Sequence, residues 1–270
     1  MTPPAPDLPV IGDFRILEAI ADGGIGKTYR GEHVLTKAPV CIKHCSTISP
    51  EHDAIMINEA RAMWDLRHYA VPAIRNLLRL EDGSLALVMS YIPGPTLEQV
   101  VEKKGRIDPE HVSWMAERML NALKYIHFHG VVHGDLKPQN VIIKAEDHTV
   151  ILVDFGLAMV KPQKKSASVG YTDLFCPPEQ KTGSPLIPES DFYALGMTLI
   201  YALGGGMRCV GRKEVPDKVP DPFCDFIQRL IVRDPLQRPN WGTEDLCETI
   251  KVVRVASFGR ATCGGKQLDV

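Results

Sequence analysis

The stretch Val131 to Ile143, VVHGDLKPQNVII, followed at Val153 by VDFGLA, decides how this chain is read. An apolar β-branched run enters it, and Asp135 and Asn140 then stand in a D-x-x-x-x-N spacing around Pro138. That spacing puts both side chains on one tight loop. The runs VIIK and VILV flank AEDHT and read as a hairpin, which delivers Asp154 at its far end. Three oxygen-bearing side chains can therefore converge, a donor set suited to a hard divalent cation. One aspartate after a buried strand is commonly just a polar turn, but the joint pattern is harder to explain that way.

Upstream, Ala21 to Arg30, ADGGIGKTYR, fits two different phosphate-binding devices. As A-x-x-x-x-G-K-T it looks like a Walker A loop with Lys27 on phosphates and Thr28 on magnesium, and VILVD (Val150 to Asp154) then looks like a Walker B strand. As Ala21, Gly23 and Gly26 in a G-x-G-x-x-G frame, with Gly24 inside it, the stretch is a glycine-rich lid short of its first glycine. A Walker A loop needs a helix directly after it, because the phosphates sit on that helix's N-terminal amides. Thr28 instead leads into YRGEHVLTKAP, which has Gly31, Pro39 and no apolar i, i+3, i+4 stripe, and then into the β-rich VCIK. This predicts strand, turn, strand. The same lack of a helix excludes a dinucleotide fingerprint.

At 270 residues and 44% hydrophobic composition the chain can bury about 75% of its unfolded surface, enough for one large domain or two lobes. A net charge of −2 provides no overall basic field to draw in nucleic acid or anionic lipid, so no nucleic-acid partner is expected. The seven cysteines include no CxxC pair and read as free thiols in a reducing, cytoplasmic setting rather than as a metal site. The apolar stretch FYALGMTLIYALGGGM is interrupted by Thr198 and a glycine triplet, so it predicts a buried helix rather than membrane insertion. The proline-rich start, MTPPAPDLP, lacks the order of a signal peptide and reads as a flexible leader.

The pattern H-x-D-L-K-x-x-N from His133 to Asn140, D-F-G from Asp154, and VCIK ending at Lys43 resembles the eukaryotic-type (Hanks-type) serine/threonine protein kinases. The resemblance extends over Phe14 to Ile250. It implies an α+β, bilobal fold: a leader over 1–10, a small β-rich N-lobe with one helix and the hinge over 11–92, a larger, mostly helical C-lobe over 93–255, and a tail over 256–270. It also implies phosphoryl transfer from ATP to Ser or Thr hydroxyls of a protein substrate, dependent on Mg2+ with Mn2+ as the alternative ion.

By the same resemblance, Lys43 holds phosphates and a glutamate from the next helix orients it. Glu59 in INEARAMWDLRH is favoured because the helical pattern there turns Met56, Met63 and Leu66 to the core; Glu51, beside Ser49 and Pro50, is the alternative. Asp135 accepts or orients the substrate hydroxyl, Lys137 stands beside the transferred phosphoryl, and Thr172 helps both face the substrate. Asn140 and Asp154 hold the metal. The nucleotide is covered by the amides of Ala21, Gly23, Gly24 and Gly26 and walled by Thr28, Cys41 and Ile142, with Met89 as gatekeeper and Ser90, Tyr91 and Ile92 as hinge. His133 and Phe155 are framework, and a metal site from His127, His129 and His133 is the weaker reading. Glu179 of LFCPPEQ and Arg238 of RDPLQRP form a buried ion pair, and Asp191 of SDFYALG bonds back to the catalytic loop.

Departures from the family pattern carry their own expectations. Ala21 replaces a glycine, Cys41 an alanine and Thr28 a valine. Gly134 stands where an arginine usually precedes the catalytic aspartate, so the cation that grips an activation-loop phosphate is missing; activity without phosphorylation at Ser166 or Ser168 is expected. GGGMRCVGRKEVPDKVPDP shows no helical stripe, so the helix that often docks substrates is expected to be shortened or lost. Two alternatives stand beside the protein kinase. Small-molecule phosphotransferases of the aminoglycoside and choline kinase type generally lack DFG and the PPE element, and a pseudokinase scaffold usually lacks the lysine or an aspartate that this chain keeps.

Overall fold

The computed structural model describes residues 9–23, 26–144, 149–162, 170 and 173–261. The chain folds as two compact units, one made of the residues up to Asp65 with Pro72–Ile92, the other of Leu66–Val71 with the residues from Pro93 onward. The class is α+β, with a β-sheet unit carrying one helix and a larger, mostly helical unit.

In the first unit, β1 (Val10–Ile11), β2 (Phe14–Gly23), β3 (Gly26–His33), β4 (Pro39–Cys45), β5 (Ile74–Arg79) and β6 (Leu85–Ser90) form a six-stranded sheet in the order β1-β2-β3-β4-β6-β5. All its pairings are antiparallel, with Thr28 opposite Lys43 and Cys41 opposite Met89. The two-residue period of β4 divides its side chains between faces. Val40 and Ile42 pack with Ile11, Phe14, Ala86 and Val88, whereas Cys45 packs with Leu85, Leu87 and Met89 against Met56 and Ala60. The last two belong to α1 (Pro50–Met63), which starts where Ser49 caps the His52 amide, Pro50 needs no amide partner, and Glu51 and Asp53 face the helix's positive end. Each fully buried Met or Leu on that face contributes about 1.5–3 kcal/mol. Because Gly26 begins a strand, no helix starts at Lys27, which rules out the Walker A arrangement.

The second unit is built on α3 (Pro109–Phe128) and α5 (Pro188–Gly204), with α2 (Leu97–Lys104), α7 (Asp221–Leu230) and α8 (Leu246–Phe258) around them. Thr96 and Gln99 exchange reciprocal capping bonds at the start of α2. Every residue of α5 from Ser190 to Leu203 is buried, which accounts for a run apolar on all sides. No described helix is long and apolar enough to cross a membrane. Two small ribbons carry the site: β7 (Val131–Val132) pairs with β10 (Met159–Val160), and β8 (Val141–Lys144) with β9 (Thr149–Leu152). The four-residue α4 (Pro178–Lys181) precedes α5. After Gly205 and Gly206, both at positive φ, the chain forms α6 (Met207–Arg212), a helix of six residues. The glycine-rich stretch thus keeps a short helix, too brief to show two turns of periodicity in the sequence.

Candidate functional site

The site residues of the first unit lie on β2 to β4, α1 and the end of β6. Lys43 alternates to the face opposite Ile42, towards α1, and its Nζ lies 2.7 Å from Glu59 Oε2 on that helix, with Glu59 only 1% exposed. Glu51 lies in the first turn of the same helix, exposed. Burial, with Glu59's charge adding and Lys43 opposing, pushes the Cys41 thiol up to about 11, so it is neutral at neutral pH. At the hairpin, Ala21 pairs with Thr28 and Gly23 with Gly26. Gly26 has φ +151°, and a Cβ there would lie 2.3 Å from His44 O, so only glycine fits. Gly24 lies outside the described residues. At the end of β6 Met89 is buried, and Ser90 is engaged twice, its amide donating to Ala73 O and its hydroxyl accepting from Ala73 N. Tyr91 and Ile92 come next, with the Arg30 guanidinium over the Tyr91 ring.

The second unit holds the candidate catalytic loop. Lys137 Nζ lies 2.7 Å from Asp135 Oδ2. A 3₁₀ turn over Pro138–Asn140 swings Asn140 back, where its Nδ2 donates to Asp135 O at 2.8 Å and to Asp135 Oδ2 at 3.1 Å. With its nitrogen committed there, Asn140 Oδ1 is the atom left for a cation. Val153 N donates to Asn140 O at 3.0 Å, tying the residue before Asp154 to the loop. Asp154 itself adopts φ +62°, a left-handed conformation uncommon outside glycine. Ile142 lies on β8. Thr172, Ser166 and Ser168 lie outside the described residues.

His133 supports the loop from below: its Nδ1 accepts from Asp135 N, its Nε2 donates to Val153 O at 3.2 Å, and its ring packs on Phe155. Asp191, at the start of α5, accepts from the amides of His133 at 2.8 Å and Gly134 at 2.9 Å and from His127 Nε2 at 2.7 Å. Burial opposes its ionisation, yet the His127 bond, the two imidazoles and the Gly134 amide hold it below the ordinary carboxylate value. Trp241 Nε1 donates to His127 Nδ1 at 2.9 Å; since indole is only a donor, this fixes the proton of neutral His127 on Nε2. His129 Nδ1 bonds Tyr125 O, so the three histidines are directed to different partners. Among the described residues no cluster of three His, Cys, Asp or Glu side chains could hold a metal by itself.

Glu179 and Arg238 meet bidentately at 2.6 and 2.8 Å, and Arg238 also donates to the carbonyls of Val232, Glu189 and Arg233. Two features escaped sequence reasoning. Trp241 reaches His127 across 114 positions, a pairing that no spacing signals. Gln180, next to Glu179, donates its amide to the carbonyls of Gly134 and Gly170; its place directly after PPE was the only available signal.

Comparison with known proteins agrees with this geometry. The family profile described as Protein kinase domain matches residues 14–249. The chain is 29% identical to a serine/threonine-protein kinase of Myxococcus xanthus over 84% of this chain and 47% of that protein. It is 30% identical to the maternal embryonic leucine zipper kinase of Danio rerio, over 84% of this chain and 33% of that protein. To serine/threonine-protein kinase C of Synechocystis it is 31% identical, over 71% of this chain and 39% of that protein. The chain thus spans between a third and a half of the length of these relatives.

Proposed function

The chain belongs to the protein kinase family, and from that premise we propose that it transfers the terminal phosphoryl group of ATP to serine or threonine hydroxyls of proteins. The observation that carries the reading is the contact of Asp135 with Lys137 and Asn140 on one loop. Phosphoryl transfer is mostly positioning and charge neutralisation, and each residue has one such task. Asp135 orients the incoming hydroxyl and takes its proton, a role worth about 10² to 10⁴ in rate. Lys137 places a positive charge beside the phosphoryl in flight; its match to the serine/threonine type favours those acceptors. Lys43, oriented by Glu59, holds the phosphates on the first unit, and the amides of the β2–β3 hairpin cover them. Since the Ser90 amide already donates to Ala73, Ser90 can offer adenine only its carbonyl, which assigns the donor role to the hinge residues after it.

The metal reading rests on donor chemistry. Asn140 Oδ1 and the Asp154 carboxylate are hard oxygen donors, and magnesium is typically held by one or two such groups together with substrate phosphates rather than by a full protein cage. When bound, Mg2+ or Mn2+ would neutralise phosphate charge. Lys161 to Ser168, KPQKKSAS, places basic residues on the segment before Glu179. Activity without phosphorylation of that segment is supported by Gly134: it has φ +74°, and a Cβ would lie 2.7 Å from Leu157 O and 2.8 Å from Leu186 Cδ1, so no arginine side chain fits in this backbone. A cytoplasmic setting is supported by Cys41, Cys45, Cys176, Cys209, Cys224 and Cys247, all free thiols.

The test is incubation with γ-labelled ATP and Mg2+, comparing wild type with Asp135→Asn. Label on protein serine or threonine, lost in the variant, supports the reading. Label on a small solute would replace it with the small-molecule phosphotransferase, and nucleotide binding without transfer with the scaffold.

A further inference from the structure

Gln180 is 3% exposed on α4, directly after Glu179, whose carboxylate is locked by Arg238 and by the Ser190 hydroxyl at 2.9 Å. Its backbone is therefore anchored. Both hydrogens of its amide nitrogen are donated, one to Gly134 O at 2.9 Å and the other to Gly170 O at 2.8 Å. The two carbonyls belong to separate pieces of chain: Gly134 immediately precedes Asp135, and Gly170 closes the segment that runs from the DFG turn towards Glu179. Leu157 joins them, with its carbonyl oxygen 2.7 Å from where a Gly134 Cβ would stand and its side chain 3.3 Å from where a Gly170 Cβ would stand. Three stretches thus meet at one buried amide. Where the family resemblance leads one to expect an arginine waiting for a phosphate, the space is taken by Leu186 and Leu157, and the link across it is neutral.

We infer that Gln180 is a positioning residue for phosphoryl transfer: its amide fastens the Gly170 end of that segment to the backbone before Asp135, doing without phosphorylation what a phosphate–cation pair would otherwise do. The inference rests on the kinase reading for its consequence in catalysis, but the fastening itself does not. An amide suits this place because two carbonyls facing each other need two donors between them, and a neutral donor avoids the cost of burying a charge. The link is permanent, whereas a phosphate-dependent one is conditional.

The experiment uses the full chain with Gln180→Glu, which keeps the shape, removes both N–H donors and sets oxygen against the two carbonyls. At about pH 8 the catalytic efficiency for a protein substrate falls roughly ten- to a hundredfold, chiefly through KM for that substrate, while KM for ATP stays within about twofold. The ratio of variant to wild-type activity rises as pH falls, because the protonated acid regains one donor; groups common to both proteins cancel in the ratio. In parallel, trypsin cuts after Lys164 and Lys165, on the segment leading to Gly170, faster in the variant than in wild type. A flat activity ratio, an unchanged substrate KM and an unchanged cleavage rate together overturn the inference. If wild type transfers no phosphate to protein, the kinase reading fails, and the trypsin comparison still decides the fastening. Should the variant not fold, wild type decides: phosphatase-treated protein that keeps about half or more of its activity supports the inference, and loss of roughly nine-tenths overturns it.

Discussion

Asp135 and Asp191 are two carboxylates of the same unit with opposite surroundings. Asp191 is 1% exposed and accepts three hydrogen bonds, from an imidazole and two backbone amides, so its oxygens are directed inward to the fold. Asp135 sits on the loop that Asp191 holds, with a lysine ammonium and an amide against the same oxygen, Oδ2. The difference teaches that Asp191 sets the shape of the loop; on the proposed function Asp135 is the carboxylate that acts, and the two should then fail in different ways when removed.

The comparison can be broken by substitution. Asp191→Ala leaves two buried amides and an imidazole without their acceptor, and should cost about 3–5 kcal/mol of unfolding free energy in urea titration. A loss under about 1 kcal/mol would remove Asp191 from its structural role. Arg238→Met should cost a similar amount, about 3–5 kcal/mol, by stranding Glu179; the double replacement Glu179→Leu with Arg238→Met should cost less than either single change. A double variant as unstable as the sum of the singles would show that the two residues act independently and would contradict the stranded-charge account.

Acid sharpens the contrast further. The native pKa of Asp191 lies below its ordinary 3.8, so the unfolded chain takes up this proton first. Its contribution is complete above the unfolded value and is lost as pH falls through the native one. Denaturation curves taken between about pH 5 and pH 3 should therefore show stability declining with acid, with a shallower decline in Asp191→Asn. Equal slopes would contradict the assignment. The smallest effect belongs to Trp241→Phe, which removes one donor to His127 while keeping an aromatic ring; about 1 kcal/mol is expected from thermal melting.

The parts of the molecule that were legible in sequence are those with a local cause. The strand beginning at Gly26 could be read because YRGEHVLTKAP has no helical stripe, and α5 because a run apolar on all sides must be buried. The Glu179–Arg238 pair was reached only through family resemblance, since those residues are 59 positions apart. Sequence reasoning preferred Glu59 to Glu51 as the partner of Lys43, and the ion pair is with Glu59, on the helix face that also buries Met56 and Met63. What stayed hidden depends on backbone carbonyls and distant rings. Gln180 presents nothing but an uncharged side chain until Gly134 O and Gly170 O are placed beside it. The missing arginine at Gly134 was visible, but not the left-handed backbone and the two leucines that occupy its room.

The central claim is that chemistry resides at Asp135 and the shape of its loop at Asp191. It is tested most directly by measuring phosphate transfer to protein and melting temperature on the same preparation of Asp135→Asn. The account predicts transfer reduced by about 10² or more with melting within roughly 2 °C of wild type. Transfer at the wild-type rate in a folded Asp135→Asn protein would contradict it.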